Sequence, residues 1–517
     1  MGAVNFRGDS VAVDLEEFRL RRFVENLPED ELDERRDNVD LADLAQIIDG
    51  NPRAVLFRSA GPDAQEVVAS VCASRSRLAR AFGVTPAGLF GEVQRRLRNQ
   101  AQILEVPRDI APCQQVVLQG EEADLTRLPI HLQHGLDGAP YISSAIDYVL
   151  DPKSGLTNVG IRRLMLRGPR EAGADLVAPS DLKAIYEASA RAGERLPVSF
   201  VVGAHPVDYV AAMMRLPVDE LGVVAALRDK PLGVVKCITN DIRVPADAEM
   251  VLEGYLDERG HVEPEGPYGE FLGYYGALKR NPVFHLTAIT CRKDALFQTM
   301  SISGPALGRT DTAQLAALRA ELTVWRALET AVREPVAVYA AASSGGLLNI
   351  RIAIRQRVPG EARNAIAAAL GSLANAKHAF VVDPDIDITN DEQMDWALAT
   401  RFQADRDLLI MEGLRAMPLD PSLNGSHKGA KAGFDCTWPF GSQDRLDISV
   451  PQAPRFEGKR FASVEEALKA GPKYFEELMA AVASRDGREI VRELDRLRNS
   501  TTLTRDQQGR YVLGASS

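Results

Sequence analysis

The 517-residue sequence has few cysteines, few aromatic residues and no long uncharged apolar run. It has five cysteines, which is an odd number, and no two of them are spaced as CxxC. This argues against a disulfide framework and against a zinc knuckle. No run approaches the roughly 18 uncharged apolar residues of a membrane-spanning helix, so we predict no membrane segment. Residues 1–36 are rich in charge and lack an apolar stretch, so we expect no secretory signal and a cytoplasmic protein.

A basic surface is also lacking. The formal net charge is −11 at pH 7, with 72 acidic against 61 basic residues. Proteins that bind nucleic acid usually carry a basic face, so we expect no nucleic-acid partner. Local arginines and lysines could still bind an anionic small molecule. The Gly-x-Ser-x-Gly elbow of hydrolases is absent, and no Gly-x-Gly-x-x-Gly sequence follows a predicted strand.

The pattern of apolar residues changes along the chain and predicts four regions. Residues 1–112 indicate an N-terminal α/β domain, with a strand at 54–57 and helices that include 64–82. Residues 113–320 contain many strand-like runs and one clear helix, Ser180 to Ala192, which predicts a closed sheet or barrel. Residues 321–455 indicate a C-terminal α/β domain, and residues 456–517 a helical tail that either contacts another subunit or lies in solvent.

Glu265 and Glu270 lie in the densest motif, residues 265–276, which contains four glycines and a proline. Glycine lets the backbone approach a ligand closely. Two carboxyl groups can divide into an ionised and a protonated one when their surroundings differ, which suits proton delivery. On local composition alone, a tight surface turn with two solvated glutamates is equally compatible with this motif.

A second motif spans Asn158 to Arg163. An asparagine oxygen can bind a hard cation, and an arginine can bind a carboxylate through two parallel hydrogen bonds. If this segment is a strand, Arg162 and Arg163 point to opposite faces, so at most one of them faces a pocket. The alternative is a strand with exposed basic residues. Glu220 also has two interpretations. It either ligates a metal or lies in the first turn of a helix, where its negative charge is stabilising.

Two further segments have less specific patterns. Residues 425–439 are rich in glycine and lysine, which suits binding of a phosphate or another anion, but the spacing of a P-loop is missing. This segment is either an anion-binding loop or a flexible surface loop. His131 and His134 stand three residues apart without a recognised acidic partner, and we interpret them as structural.

Together these segments resemble the UbiD family of reversible decarboxylases. The resemblance extends from about residue 45 to residue 450. It rests on Asn158 to Arg163, on the run Met250 to Gly254, and on the Glu-Gly-Pro-x-Gly-Glu sequence that begins at Glu265. It implies an N-terminal α/β segment, a central split β-barrel of the flavin-reductase type that binds a flavin, and a C-terminal α/β domain with a terminal helix.

The resemblance implies prenylated FMN as the cofactor, supplied by a separate flavin prenyltransferase, with Mn²⁺ or Mg²⁺ and K⁺ beside its phosphate. It implies Asn158 and Glu220 as metal ligands. Many relatives have a histidine as third ligand, and Asp181 is the nearest metal-competent residue here. The cofactor contacts that the resemblance implies are Asn158, Gly160, Ile161, Arg163, Ser180, Met214, Glu220 and Lys431, with Lys431 at the phosphate.

The implied reaction is the non-oxidative decarboxylation of an aromatic, heteroaromatic or conjugated acid through a covalent bond between substrate and flavin. The implied catalytic network is Arg163, Glu265 and Glu270, in which Arg163 orients, Glu265 pairs with Arg163, and Glu270 donates the proton that replaces carbon dioxide. Phe271, Ser301 and Ser303 are expected to line the substrate pocket. The small serines leave room for a fused ring such as a phenazine carboxylate.

The same relatives imply a homodimer or a homohexamer. An FMN-dependent oxidoreductase on a split barrel is the alternative function. A binding protein that has lost its chemistry and a metal-dependent hydrolase are weaker alternatives, since the carboxylates are intact and no cluster of metal-binding histidines accompanies them.

Overall fold

A computed structural model describes residues 3–5, 12–442 and 446–514. The chain divides into two compact units, with the boundary between Thr437 and Trp438. None of the helices in the described part is long and apolar enough to cross a membrane. The four predicted regions stay a prediction: the first two and residues 321–437 of the third lie within the first unit, and residues 438–455 of the third belong to the second.

The N-terminal region carries short strands and helices around a small sheet. Its strands are β1 (Ala3–Asn5), β2 (Ala12–Asp14), β3 (Leu32–Arg35), β4 (Ala54–Ala60), β5 (Gln65–Ala69) and β6 (Ile103–Glu105). Its helices are α1 (Leu20–Glu25), α2 (Leu44–Ile48), α3 (Arg75–Ala81) and α4 (Leu89–Arg96).

The helix predicted over residues 64–82 is wrong. The segment forms β5 and then α3, whose first turn is capped by the side chain of Ser74. Val67 and Val68 are completely buried, so the strand has apolar residues on both faces. A strand that is buried on both faces shows no alternation of apolar and polar residues. The spacing of its apolar residues can then be mistaken for that of a helix.

The central region is a closed barrel. Its strands are β7 (Val116–Gln119), β8 (Tyr141–Leu150), β9 (Thr157–Leu166), β10 (Glu171–Ala174), β11 (Leu196–Val202), β12 (Leu232–Lys236), β13 (Arg243–Pro245), β14 (Met250–Leu256), β15 (Glu263–Glu265), β16 (Tyr268–Gly269), β17 (Tyr275–Gly276), β18 (Lys279–Asn281), β19 (Val283–Cys291) and β20 (Phe297–Thr299). The order β10-β9-β8-β11-β14-β19 is closed by pairing of β19 with β10. The predicted barrel is therefore confirmed, and β20 leaves it to join β5 in the N-terminal sheet.

The expectation of a single helix in this region is wrong. Besides α5 (Asp181–Ala192), the structure has α6 (Pro206–Ala212) and α7 (Glu220–Arg228). All residues of α6 and all but Gly222 of α7 are buried. A helix that is buried all round has no polar face, so its sequence lacks the period that reveals an amphipathic helix.

The C-terminal α/β region has a five-stranded sheet in the order β21-β22-β23-β25-β24. Its strands are β21 (Pro335–Ala340), β22 (Asn349–Ile354), β23 (His378–Val382), β24 (Leu408–Arg415) and β25 (Lys428–Cys436), and its helices are α8 (Asp311–Leu328), α9 (Glu361–Gly371) and α10 (Asp391–Arg401). The loop expected at 425–439 is thus mostly strand β25. Its glycines allow close packing, since a Cβ at Gly433 would collide with Ile366 of α9.

The second unit, described by itself, contains α11 (Val464–Lys469), α12 (Phe475–Ala481), α13 (Gly487–Ser500), β26 (Leu503–Arg505) and β27 (Tyr511–Leu513). The helical tail expected at 456–517 therefore contains three separate helices and two short strands. Leu478, Ile490 and Leu494 are among the residues of its own small core. This core explains the apolar positions of a sequence that otherwise resembles a solvated helix.

Candidate active site

The two arginines of β9 point in opposite directions, as their adjacent positions predict. Arg162 has its Nε 3.0 Å from Oδ1 of Asp147, and it donates a hydrogen bond of 3.2 Å to the Ser180 hydroxyl. Arg163 turns the other way and contacts Glu265 and Glu270. Strand β9 therefore separates two polar sites, one on each side.

Arg163 is the centre of the first site, which is a buried network of charges. Its Nε donates to Glu265 over 3.1 Å and its Nη1 donates to Glu270 over 3.0 Å. Its Nη2 lies 2.9 Å from Oδ2 of Asp175. Burial alone would lower the pKa of Arg163, but the three carboxylates outweigh it and hold this pKa well above its usual value.

The glycine-rich motif forms two small hairpins that carry the glutamates. Glu265 ends β15, and Glu270 follows β16. Gly266 has φ 92°, a conformation that favours glycine, and a Cβ on Gly276 would lie 2.6 Å from Oε1 of Glu270. The side chains of Glu265 and Glu270 are only 1% and 6% exposed, so the alternative of two solvated glutamates is wrong.

Three residues of this network escaped the sequence reasoning. Lys279 donates a hydrogen bond of 2.9 Å to Glu270 and lies 3.6 Å from Asp175. Asn281 donates to Glu265 and to Asp175, each over 3.2 Å. Lys279 stands directly opposite Glu265 in the pairing of β15 with β18. This strand register brings Lys279 next to Glu265. No local motif surrounds Lys279, Asn281 or Asp175, so the sequence alone did not point to these residues.

An aromatic side chain covers the network. The Tyr268 ring lies 4.5 Å from the Arg163 guanidinium carbon, at a distance typical of a cation–π contact. Its hydroxyl donates to Gln133, and the His134 ring packs edge-on against it. His134 also has an acidic partner, Asp137, at 3.0 Å, so the expectation that it lacks one is wrong.

Glu220 and Asn158 meet on the other side of β9. The Glu220 carboxylate accepts hydrogen bonds from the Asn158 amide at 2.8 Å, from the backbone N–H of Val159 at 2.6 Å and from that of Leu216 at 3.2 Å. Burial raises the pKa of Glu220 to about 7. Glu220 also begins α7, which confirms its expected place in the first turn of a helix, and its role as a metal ligand stays a prediction.

Asn158 and Glu220 are residue types that fit a hard divalent cation, and the contact between them in this structure is made by the amide nitrogen of Asn158. A carboxylate and an amide oxygen are ligands that Mg²⁺ and Mn²⁺ accept, and a cation would remove the cost of ionising a buried Glu220. Asp181 is an electrostatic neighbour of Glu220, with no direct contact between the two side chains in the described residues. The described ranges contain no group of three or more His, Cys, Asp or Glu side chains arranged so that they could hold a metal ion. The role of Asp181 stays a prediction.

Of the other predicted cofactor residues, Gly160 and Ser180 lie on this side of β9, whereas strand alternation turns Ile161 towards the side of Arg163. Gly160 faces Asp147, and a Cβ there would lie 3.1 Å from Oδ1 of that carboxylate. Its neighbour Ile161 pairs with Ile146 in the barrel. Ser180 caps α5 by accepting a hydrogen bond from the backbone N–H of Lys183.

Two further predicted cofactor contacts lie on other segments of the chain. Met214 follows α6 and packs, half-buried, against the central core. Lys431 is a buried residue of β25, and its Nζ donates to the carbonyl oxygen of Leu370 over 2.8 Å. Burial, with a smaller effect of Arg415, lowers the pKa of Lys431.

The predicted substrate residues fall into two groups. Ser301 and Ser303 line a cavity of 370 Å³, together with Gln133 and His134, which contact Tyr268. The cavity thus adjoins the cover of the Arg163 network. Phe271 is absent from the described lining of this cavity and packs between the central and the C-terminal cores.

Comparison with known proteins assigns the family. Residues 104–305 match the family model of the 3-octaprenyl-4-hydroxybenzoate carboxy-lyase Rift-related domain, and residues 313–436 match the model of the C-terminal domain of the same enzyme family. The chain belongs to the UbiD family of carboxy-lyases. The predicted family and enzyme class are confirmed, and the UbiD motif at Glu265 to Glu270 is the one that carries the buried network.

Curated UbiD relatives include decarboxylases from archaea. The chain is 32% identical over 388 residues to the anhydromevalonate phosphate decarboxylase of Methanosarcina mazei, covering 74% of this chain and 87% of the relative. The enzyme of that name from Methanothermobacter thermautotrophicus is 28% identical over 435 residues, covering 83% of this chain and 98% of the relative.

Solved UbiD structures share the fold. HmfF from Pelotomaculum thermopropionicum, in complex with FMN, superimposes with a TM-score of 0.78 at 32% identity, covering 84% of this chain and 97% of HmfF. The 3,4-dihydroxybenzoic acid decarboxylase AroY from Klebsiella pneumoniae superimposes with a TM-score of 0.74 at 27% identity, covering 85% and 97%. An evolved dimeric form of HmfF holds prenylated FMN.

Proposed function

We propose that this protein catalyses the reversible, non-oxidative decarboxylation of a conjugated carboxylic acid with prenylated FMN. The observation that carries the proposal is the buried bridge of Arg163 between Glu265 and Glu270. The FMN and prenylated FMN complexes of HmfF support a flavin cofactor. Prenylated FMN would be supplied by a flavin prenyltransferase.

When bound, the prenylated flavin would supply the electron sink that no side chain of the protein can provide. The chain's own residues would orient the acid and move the proton. Glu270 accepts hydrogen bonds from two cations, Arg163 and Lys279, which fix both of its oxygens. We assign the proton that replaces carbon dioxide to Glu270, and the orientation of Arg163 to Glu265 and Asp175.

Asn158 and Glu220 would hold Mn²⁺ or Mg²⁺, with K⁺ nearby, to neutralise the flavin phosphate. Asp181 is the candidate for a third ligand. Gly160, Ile161, Ser180 and Met214 remain candidate cofactor contacts, and Lys431 a candidate phosphate contact. The support for this arrangement is the buried pairing of Glu220 with Asn158 on the barrel.

The substrate is an aromatic, heteroaromatic or otherwise conjugated acid. The relative AroY acts on an aromatic acid, whereas the archaeal relatives are named for anhydromevalonate phosphate. Ser301 and Ser303 leave a cavity of 370 Å³, which has room for a fused ring such as a phenazine carboxylate. Phosphorylated conjugated acids therefore join aromatic acids in the set to be tested.

The test begins with co-expression of the protein and a flavin prenyltransferase, followed by mass spectrometry of the released cofactor. A prenylated FMN mass, and carbon dioxide release from at least one acid of an aromatic and phosphorylated panel, is expected. Glu270→Gln should keep the cofactor and lose carbon dioxide release. Glu263→Gln is the matched control, since Glu263 lies on β15, two residues before Glu265, with a side chain that is 30% exposed and paired with Arg167.

Three results would contradict the proposal. A protein without flavin when Mn²⁺ is supplied would remove it. Plain FMN together with substrate-dependent oxidation would favour the oxidoreductase. Full activity of Glu270→Gln would remove the assigned proton donor. The predicted homodimer or homohexamer is a separate question that light scattering decides.

A further inference from the structure

Tyr141 is a buried tyrosine beside the Arg163 network, and its hydroxyl is unpaired. The residue begins β8 and is 1% exposed. Its hydroxyl is buried and forms no hydrogen bond of standard geometry with a described residue. Buried polar groups are nearly always hydrogen-bonded, and an unsatisfied one carries a desolvation cost. An unpaired buried hydroxyl beside a catalytic motif therefore indicates an acceptor that becomes available only during the reaction.

Strand register places Tyr141 on the same face of the barrel as Arg163. Tyr141 lies opposite Met165 in the pairing of β8 with β9, and Met165 lies opposite Gly173 in the pairing of β9 with β10. Residues that pair directly, or that stand two apart in one strand, point to the same face. Glu265 covers the end of this row, because a Cβ on Gly173 would lie 3.4 Å from Cγ of Glu265. Tyr141, Arg163 and Glu265 are therefore on one side of the sheet.

The Tyr141 ring packs into the network, and its hydroxyl is a donor. The ring centroid lies 4.3 Å from that of Tyr268, whose ring in turn contacts the Arg163 guanidinium. Burial, followed by the charge of Glu265, raises the pKa of the Tyr141 phenol. The phenol therefore stays protonated at neutral pH, and it acts as a hydrogen-bond donor rather than as a base.

The contacts of Arg163 show which carboxylate would use this donor. Arg163 lies 2.9 Å from Asp175 and 3.0 Å from Glu270. Its two hydrogen bonds to Glu265 are longer, at 3.1 and 3.4 Å. Because each of its three nitrogens already contacts a carboxylate, Arg163 can bind a substrate carboxylate through two parallel hydrogen bonds only after it releases one of these partners.

Glu265 is the partner that Arg163 holds over the longest distances, and it is also the one that depends on Arg163 most. Its side chain is 1% exposed. Without Arg163, its carboxylate would keep only the hydrogen bond of Asn281, at 3.2 Å, among those formed by the described residues. A buried carboxylate needs further donors to offset its desolvation, and the unpaired hydroxyl on the same side of the sheet is such a donor.

We propose that Tyr141 is a positioning residue of the decarboxylase site, which donates a hydrogen bond to Glu265 when Arg163 turns to the carboxylate of the substrate. In the free protein Arg163 compensates Glu265. In the substrate complex Tyr141 takes over part of this task, and no covalent bond changes in the exchange. The inference rests on the proposed function, since it requires that Arg163 binds the acid.

Stability tests the exchange without any turnover. Native-state hydrogen exchange of the β9 amides gives local opening constants for the wild type, Tyr141→Phe, Arg163→Met and the double variant. In the wild-type background, Tyr141→Phe should leave opening unchanged or reduce it, because an unpaired buried hydroxyl is removed. In the Arg163→Met background, where Glu265 lacks its cation, the same change should raise the opening constant at least about tenfold.

Tyr186→Phe is the matched control. Tyr186 is also 1% exposed, but its hydroxyl donates to the carbonyl oxygen of Asp257 over 2.9 Å, outside the network. Loss of this hydrogen bond should increase opening of helix α5 by the same factor with and without Arg163, since distant sites are additive. Tyr141→Phe should differ from it in both respects.

Kinetics tests the connection to the substrate. With the prenylated cofactor and an acid that the wild type decarboxylates, Tyr141→Phe should raise KM at least about tenfold and change kcat little. The reason is that the hydrogen bond to Glu265 forms on substrate binding and persists in the transition state. Tyr186→Phe should leave both constants unchanged, and a hydroxyl that only packs the barrel would move neither.

Three results would overturn the proposal. They are an equal effect of Tyr141→Phe with and without Arg163, increased opening in the wild-type background, and an unchanged KM. Failure of the proposed function is distinguishable from these results. If the wild type releases no carbon dioxide from any acid while Tyr141→Phe still acts only in the Arg163→Met background, the pairing of the hydroxyl with Glu265 holds and the decarboxylase assignment fails.

Discussion

Removal of the Arg163 charge is the perturbation that most directly tests the buried network. Arg163 lies within 2.9–3.1 Å of Asp175, Glu265 and Glu270. Arg163→Met keeps much of the side-chain volume and leaves three carboxylates without their shared cation. Breaking a buried ion pair by removing one partner costs ~3–5 kcal/mol, because the remaining charge stays buried.

The size of the loss depends on the partners that remain. Lys279 still donates to Glu270, and Asn281 still donates to Glu265. Glu265 is only 1% exposed and retains no cation, so it should account for most of the penalty. Adding Glu265→Gln to Arg163→Met removes that charge and should recover about 1–3 kcal/mol, which is the usual coupling between contacting residues.

Native-state hydrogen exchange of the β9 amides measures this loss as a fall in local opening free energy. Arg167→Met is the matched control. Arg167 is on the same chain segment and pairs with Glu263 at 2.8 Å, but its side chain is 22% exposed. An exposed pair is worth about 0–1 kcal/mol. Two results would refute the reasoning. One is a fall in local opening free energy for Arg163→Met that is no larger than the fall for Arg167→Met. The other is a further fall when Glu265→Gln is added to Arg163→Met.

Other predictions test single groups. Lys279→Met should slow carbon dioxide release about tenfold or more, since Glu270 loses a charge-assisted hydrogen bond. Lys279→Arg should keep most of the wild-type rate. Equal rates in the wild type and both variants would contradict this prediction. Burial lowers the pKa of His205 to about 3, below the 6.5 of an unfolded histidine. The folded state thus binds fewer protons, and stability is present above pH 6.5 and lost as the pH falls towards 3, by about 1.4 kcal/mol per pH unit. In His205→Asn this part of the pH dependence of the unfolding free energy should disappear; an unchanged slope would assign it to other groups.

Local patterns predicted much of the fold. The apolar runs at 141–150, 158–166 and 283–291 predict strands; β8 and β19 have the bounds of the first and third runs, and β9 is one residue longer than the second. These strands combine β-branched and aromatic residues with clear turn residues at their ends, so neighbouring positions decide their structure. The pairing of Arg163 with the two glutamates came from a family motif, and strand parity alone left open which of the two arginines took part.

Other features depend on contacts between distant segments. Helices α6 and α7 are buried all round, so their sequences carry no polar period. Strand β25 has glycines for packing against α9, and the same glycines read as a loop in isolation. Residues 64–82 were misread because a strand buried on both faces imitates a helix in its apolar spacing.

The sequence by itself determined the family, the barrel strands and the Arg163, Glu265 and Glu270 motif, because these reside in short runs of neighbouring residues. Only the tertiary structure decided that Lys279 and Asn281 complete the network. Strand register and helix packing bring these side chains together across more than a hundred residues. Such contacts arise from the burial of whole elements, and no local pattern of residue types records them.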